Sequence, residues 1–206
     1  MAKPCGAEGR RVAKPCRGGR ARAERPAAKP CRKGGAMWYV VQVATGREQA
    51  ACDLIGERVD ASLLKECFVP RRKVAFKEAD EWKTVEEPLF PGYVIVDSEQ
   101  PKRLRAALDR LPDFARLLDV DGTFLPLDDE EVAWIDAFTR RGHRVVDMSR
   151  AVVEGGIVRI TSGPLVGKEA QVKRINRRKR TAVLELRILG RDVEVPVGLE
   201  IVRKQR

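Results

Sequence analysis

Leu89-Phe90-Pro91-Gly92-Tyr93-Val94-Ile95-Val96 decides how the first half of this chain is read. Proline fixes its own φ and glycine admits conformations that other residues resist, so Pro91-Gly92 predicts a sharp turn leading directly into a strand. Such a turn presents Phe90 and Tyr93 together, and alternation along the strand puts Tyr93 and Ile95 on one face. Two uses fit these aromatics, ordinary core packing and an apolar face built for a partner.

Upstream, Trp38-Tyr39-Val40-Val41-Gln42-Val43 is aromatic and β-branched and stops at Thr45-Gly46, the pattern of a buried strand. Ala51, Leu54, Ile55 and Val59 then recur at helical spacing over residues 47–59. Cys67-Phe68-Val69-Pro70 predicts a short strand, and Arg71-Arg72-Lys73 opens an arm that runs through Val74, Phe76 and Trp82. Its charges alternate with isolated aromatics, which suits an exposed hairpin. Downstream, Pro101 opens a helix striped by Leu104, Ala107, Leu108 and Leu111 and closed by Pro112. A strand over 114–120 follows, then a third helix. Asp128 caps that helix, Glu131 sits at its third position, and Val132, Ile135 and Phe138 face inward. The order predicts an α+β sandwich with a largely antiparallel sheet and three helices over residues 37–140, followed by a linker over 141–151.

The remainder, residues 152–206, holds short β-rich runs punctuated by glycine: 157–160, 170–175, 182–189, 193–197 and 201–202. Five strands without a helical stripe predict a small five-stranded β-barrel. Within it, Gly155-Gly156-Ile157-Val158-Arg159-Ile160, then Ser162-Gly163-Pro164-Leu165-Val166-Gly167 and Glu169-Ala170-Gln171-Val172, resemble the KOW motif. That motif occurs in proteins acting on nucleic-acid machines, ribosomal proteins included. Arg177-Arg178-Lys179-Arg180 falls at a predicted hairpin tip, either a phosphate contact or a solvated turn.

The chain of 206 residues has a formal net charge of +11, but the distribution is uneven. Residues 1–36 carry +9, residues 37–149 carry −6 and residues 150–206 carry +8. The middle domain is therefore acidic, and any nucleic-acid contact there must come from a local cluster such as Arg71, Arg72, Lys73 and Lys77, felt within a Debye length of about 8–10 Å. Phe76 and Trp82 could stack on bases, although packing along the arm explains them more economically. Ala-Lys-Pro-Cys recurs at residues 2–5, 13–16 and 28–31. This low-complexity segment predicts disorder. It reads as an electrostatic arm, as a redox or metal tract through Cys5, Cys16 and Cys31, or, most simply, as an appendage or translation from an upstream start codon. Met37 is then the expected natural start, which the intact mass of the native protein tests.

Five cysteines without a CxxC pair indicate neither a disulfide framework nor a zinc knuckle, and Cys52 and Cys67 read as buried thiols in a reducing compartment. No apolar run approaches the roughly 20 residues of a membrane span, so a cytoplasmic protein without membrane partner is expected. His143, the one histidine, stands in the predicted linker with no nucleophile or carboxylate beside it in sequence. No phosphate loop or metal-ligand cluster accompanies it. The expectation is a non-enzyme with no cofactor and no metal.

Taken in order, Trp38-Tyr39-Val40-Val41-Gln42, Phe90-Pro91-Gly92-Tyr93-Val94 and the KOW stretch resemble the NusG family across residues 37–206. The resemblance implies docking on the clamp helices of the RNA polymerase β′ subunit, with Trp38, Phe90, Pro91, Gly92 and Tyr93 at the matching positions. Aromatics with polar tips are favoured at such interfaces. It also implies that the barrel recruits NusE, the ribosomal protein, or the termination factor Rho through a tip matching Gly163, Pro164, Leu165 and Gly167. Housekeeping members usually place an aromatic after that proline, so Leu165 weakens the expectation of Rho or ribosome recruitment by this barrel. The arm, Glu86-Glu87-Pro88 and Phe124-Leu125-Pro126-Leu127 look closer to the LoaP-type specialised branch. That branch implies antitermination on selected operons and contact with a leader RNA hairpin or non-template DNA. The alternatives are a housekeeping elongation and termination factor and a ribosome-associated KOW RNA-binding protein. Ribosomal proteins are usually basic throughout, which the acidic middle domain is not.

Overall fold

The computed structural model describes residues 37–111, 115–117, 119–120, 123–124, 126–139, 142–154 and 157–202. The tail reading over residues 1–36 and the predicted helix stop at Pro112 lie outside the described residues.

The first unit is built on β1 (Trp38–Val43), α1 (Glu48–Arg58), β2 (Glu66–Phe68), the hairpin β3 (Arg71–Glu78) and β4 (Glu81–Pro88), β5 (Tyr93–Asp97), α2 (Pro101–Leu108), β6 (Ala115–Leu117), a short pair β7 (Asp119–Val120) and β8 (Thr123–Phe124), and α3 (Asp129–Phe138). An antiparallel sheet in the order β2-β5-β1-β6 forms its centre, with Val40 opposite Ile95 and Val41 opposite Val94. Because side chains alternate along a strand, the two faces bury different sets. Tyr39, Val41, Val43, Val94 and Val96 pack with Ile55 of α1 and Leu104 and Leu108 of α2. Trp38, Val40, Ile95 and Phe68 face the other way, in one core with Trp134, Ile135 and Phe138 of α3. Each fully buried Leu or Ile contributes about 1.5–3 kcal/mol. Three helices therefore sandwich the predicted sheet.

Two boundaries differ from the sequence reading. The second helix stops at Leu108 rather than Leu111, because the N–H groups of Arg110 and Leu111 donate three residues back to Ala107 and Leu108 and tighten the last turn. The predicted strand over 114–120 divides into β6, paired with β1, and β7, paired with β8. The third helix starts as read: the Asp128 carboxylate accepts from the Glu131 N–H at 2.8 Å, and the Glu131 carboxylate accepts from the Asp128 N–H at 2.9 Å.

Residues 142–151 of the segment read as a linker are structured. They hold β9 (Val145–Val146), which pairs in parallel with β3, and the start of β10 (Ser149–Glu154). The strands β11 (Ile157–Ser162), β12 (Val172–Asn176), β13 (Thr181–Ile188) and β14 (Arg191–Val202) complete a curled five-stranded sheet in the order β11-β10-β14-β13-β12. The first barrel strand thus begins inside the expected linker, and the last two predicted strands are one. Gly198 does not break that strand. It instead lets two backbones approach, since a Cβ there would lie 2.5 Å from the Lys73 carbonyl oxygen.

The two units share one core. Glu131 of α3 accepts the Leu189 N–H at 2.6 Å, at the turn between β13 and β14. Trp134 donates its indole N–H to Gln171 at 3.3 Å, and the Arg180 guanidinium lies 4.0 Å from the Trp82 ring centroid.

Candidate functional site

Phe90-Pro91-Gly92-Tyr93 forms a turn closed by the Tyr93 N–H donating to the Phe90 carbonyl at 3.2 Å. Gly92 has φ +83°, the left-handed position that a type II turn requires after proline. Two further bonds fix the turn on the sheet: Gly92 accepts from the Val43 N–H at 2.9 Å and donates its own N–H to the buried Glu48 carboxylate at 2.7 Å. Burial pushes the Glu48 carboxyl up, but N–H groups of Gly92, Glu48 and Gly46 donate to it and together hold it below the usual carboxylate range. The result is a rigid corner with exposed Pro91 at its apex and half-buried Phe90 and Tyr93 on either side. Both aromatics pack against the core shared with α3 and the barrel.

Trp38 is placed differently from its two expected companions. It is 3% exposed and meets Phe68 edge-on, with ring centroids 5.1 Å apart. Arg144 closes over both rings, its guanidinium 5.0 Å from the Trp38 centroid and 4.5 Å from that of Phe68. That guanidinium also donates to Glu66 at 2.7 Å and to Asp136 at 2.8 Å. Burial opposes its charge and the two carboxylates outweigh the burial, keeping Arg144 protonated. Trp38 pairs with Asp97 at the end of the sheet away from the corner, where Gln42 pairs with Tyr93, and Arg144 ties β2 and α3 together beside it.

The structure pairs each cation expected on the arm with a carboxylate: Arg71 with Glu86 at 3.8 Å, Arg72 with Glu87 at 3.2 Å, Lys73 with Asp147 at 2.7 Å, and Lys77 with Asp80. Only Lys77 is exposed, and a pair of that kind contributes about 0–1 kcal/mol; Arg71, Arg72 and Lys73 are half-buried. Phe76 and Trp82 are each 38% exposed, so neither is a buried element of the arm.

At the other end, the β12–β13 hairpin carries Arg177, Arg178 and Lys179 exposed, without an ion-pair partner among the described residues. The Asn176 side chain accepts the Lys179 N–H at 3.0 Å and sets the tip's shape. An open groove of about 540 Å³ lies beside it, lined by these three cations together with Ile175, Val183 and Pro196. Arg180 is held apart from them by Glu200 at 3.1 Å and by the Trp82 ring.

The turn expected to recruit a barrel partner divides by burial. Leu165 is 1% exposed and donates its N–H to Ser149 at 3.1 Å, while Gly163, at φ +98°, lies where a Cβ would meet the Ser149 Cα at 2.6 Å. Gly167 is exposed, Pro164 is half-buried, and the apolar side chain offered to solvent is Val166, 51% exposed. The motif's resemblance points to the neighbours of Val166 and not to Val166 itself. Glu48, Arg144 and Trp134 are likewise absent from the sequence-based site, and only the tryptophan carries a signal, its place on the inward stripe of α3. His143 is exposed, and among the described residues no three His, Cys, Asp or Glu side chains gather as metal ligands. No described helix is long and apolar enough to cross a membrane.

A family model described as transcription termination factor nusG matches residues 36–136, and a model of the KOW motif matches residues 154–187. Among curated relatives, the transcription termination/antitermination protein NusG of Helicobacter pylori is 24% identical over 173 residues, covering 81% of this chain and 97% of the relative. The protein of the same name from Yersinia pestis is 27% identical over 180 residues, covering 81% and 95%. A solved structure described as "Domain interaction in Thermotoga maritima NusG" superimposes with a TM-score of 0.51 at 23% identity, over 81% of this chain and 94% of that one.

Proposed function

This chain belongs to the NusG family of transcription termination/antitermination factors, and from that premise we propose that it docks on RNA polymerase through the corner at residues 90–93 and acts as an antiterminator on selected operons. It is a regulator rather than an enzyme. The observation that carries the docking reading is the Gly92 clamp: a buried carboxylate and a strand N–H hold one tight turn so that Phe90 and Tyr93 flank it. Preorganised aromatics lose little conformational entropy on binding, which suits a hot spot. The β′ clamp helices are the proposed partner surface, and Trp38, buried at the end of β1 away from the corner, contributes packing rather than contact.

Nucleic acid, a leader RNA hairpin or non-template DNA, is assigned first to Arg177, Arg178 and Lys179, whose charges are uncommitted. The arm residues Arg71, Arg72, Lys73 and Lys77 are the second contact, reached by exchanging carboxylate partners for phosphate. For the barrel, NusE is the partner kept, received on Pro164, Val166 and Gly167 around the buried Leu165; Rho is disfavoured by the missing aromatic. Purified transcription across a terminator, with and without leader RNA, tests the reading. Readthrough that depends on the leader supports the LoaP-type assignment, and leader-independent elongation or enhanced termination assigns the housekeeping role.

A further inference from the structure

Two cysteines that play no part in docking meet between α1 and β2. Cys52 and Cys67 have their sulfurs 3.2 Å apart in a thiol–thiol hydrogen bond, although 15 residues separate them in sequence. Both thiols line an open depression of about 410 Å³ that also contacts Asp53, Lys65 and Glu66. We propose that Cys52 and Cys67 form a dithiol modification site, which a hydroperoxide oxidises to an intrachain disulfide cross-linking α1 to β2.

Reactive cysteines need access and thiolate character, whereas sealed structural cysteines are inert. The depression opens onto the pair, with Cys67 half-buried and Cys52 buried behind it. The hydrogen bond between the two thiols holds Cys52 below its usual range against burial and the nearby Asp53 charge. The same hydrogen bond, followed by burial, pushes Cys67 up. The surrounding charges are otherwise occupied, Lys65 with Glu99 and Glu66 with Arg144. Within the proposal Cys52 is the attacking sulfur and Cys67 the resolving one.

In the first step the Cys52 thiolate attacks one peroxide oxygen and the O–O bond breaks. The alkoxide or hydroxide that leaves takes up a proton to become an alcohol or water, and Cys52 becomes a sulfenic acid. In the second, the Cys67 sulfur attacks the Cys52 sulfur, the S–S bond forms, the S–O bond breaks, and hydroxide leaves as water with the Cys67 proton. Two thiols give up two electrons and two protons in all, and the hydroperoxide becomes an alcohol and water. The sulfurs must close by about 1.2 Å to reach disulfide bonding distance. Closing the loop between residues 52 and 67 restricts the unfolded chain, so the oxidised form melts at a higher temperature.

The test uses the full chain with Cys5, Cys16 and Cys31 replaced by serine, treated with hydrogen peroxide, quenched, denatured and alkylated. The expected result is a mass lower by two hydrogens, loss of alkylation at both thiols, one non-reduced peptide joining Cys52 to Cys67, and full reversal by dithiothreitol. In the Cys67→Ser variant Cys52 should stop at the sulfenic acid and be captured by dimedone. If both thiols of the peroxide-treated protein alkylate as fully as in the untreated protein, the proposal fails. It also fails if Cys52 passes directly to the sulfinic acid without forming the linked peptide. Neither outcome depends on whether the Cys67→Ser variant folds.

Discussion

The Glu48 carboxylate accepts the Gly92 N–H at 2.7 Å from a buried position, across 44 residues of sequence. Removing the acceptor in Glu48→Ala leaves a buried N–H unpaired and should cost about 1.5–3 kcal/mol in chemical denaturation. Because the folded carboxyl lies below its ordinary value of 4.5, its contribution is complete above that value and is lost as pH falls through the depressed folded one. Glu48→Gln should therefore flatten the acid side of the stability profile, measured as urea midpoints at neutral and acid pH. Gly92→Ala should cost about 1–3 kcal/mol, since φ +83° strains any side chain and the new Cβ would lie 3.1 Å from the Thr45 Oγ1. The turn itself is legible in the sequence because proline and glycine act locally. Its clamp is not, because nothing near Glu48 in sequence announces a partner on the far side of a sheet. Trp38 opens a run that reads as a buried strand, and its 3% exposure agrees, but its partners Phe68 and Arg144 are distant in sequence and are not legible there.

Among the elements, α3 is the most readable, because a capping box is written within four residues. Asp128→Ala should cost about 1 kcal/mol by thermal or chemical unfolding. The stretch from Gly142 to Met148 is the least readable. Arg140-Arg141-Gly142-His143-Arg144 has the composition of a solvated connection, yet the Arg144 side chain is 6% exposed between Glu66 and Asp136 and β9 pairs with β3. A buried arginine looks like a linker arginine until its carboxylates are located. Arg144→Ala should cost about 3–5 kcal/mol, most of it from stranding Glu66, and the double variant with Glu66→Ala should recover part of the loss. Glycine misleads in the other direction at Gly198, where it marks a close approach and not the end of a strand.

Across the whole molecule, the net charge of +11 is a poor guide, because the acidic middle domain pairs its arm cations with its own carboxylates. Uncommitted cations lie instead on the barrel hairpin. If they bind nucleic acid, replacing Arg177, Arg178 and Lys179 by alanine should weaken binding and lower the salt slope by about one for each phosphate no longer neutralised. Polymerase affinity should be unaffected by that change. The central claim is that the corner at residues 90–93 is the docking site, and equilibrium binding of the full chain to purified RNA polymerase tests it most directly. Phe90→Ala and Tyr93→Ala, each checked to remain folded under the assay conditions, should each weaken binding at least about tenfold, equivalent to roughly 1.4 kcal/mol. Variants that stay folded and bind polymerase as tightly as the parent chain would contradict it.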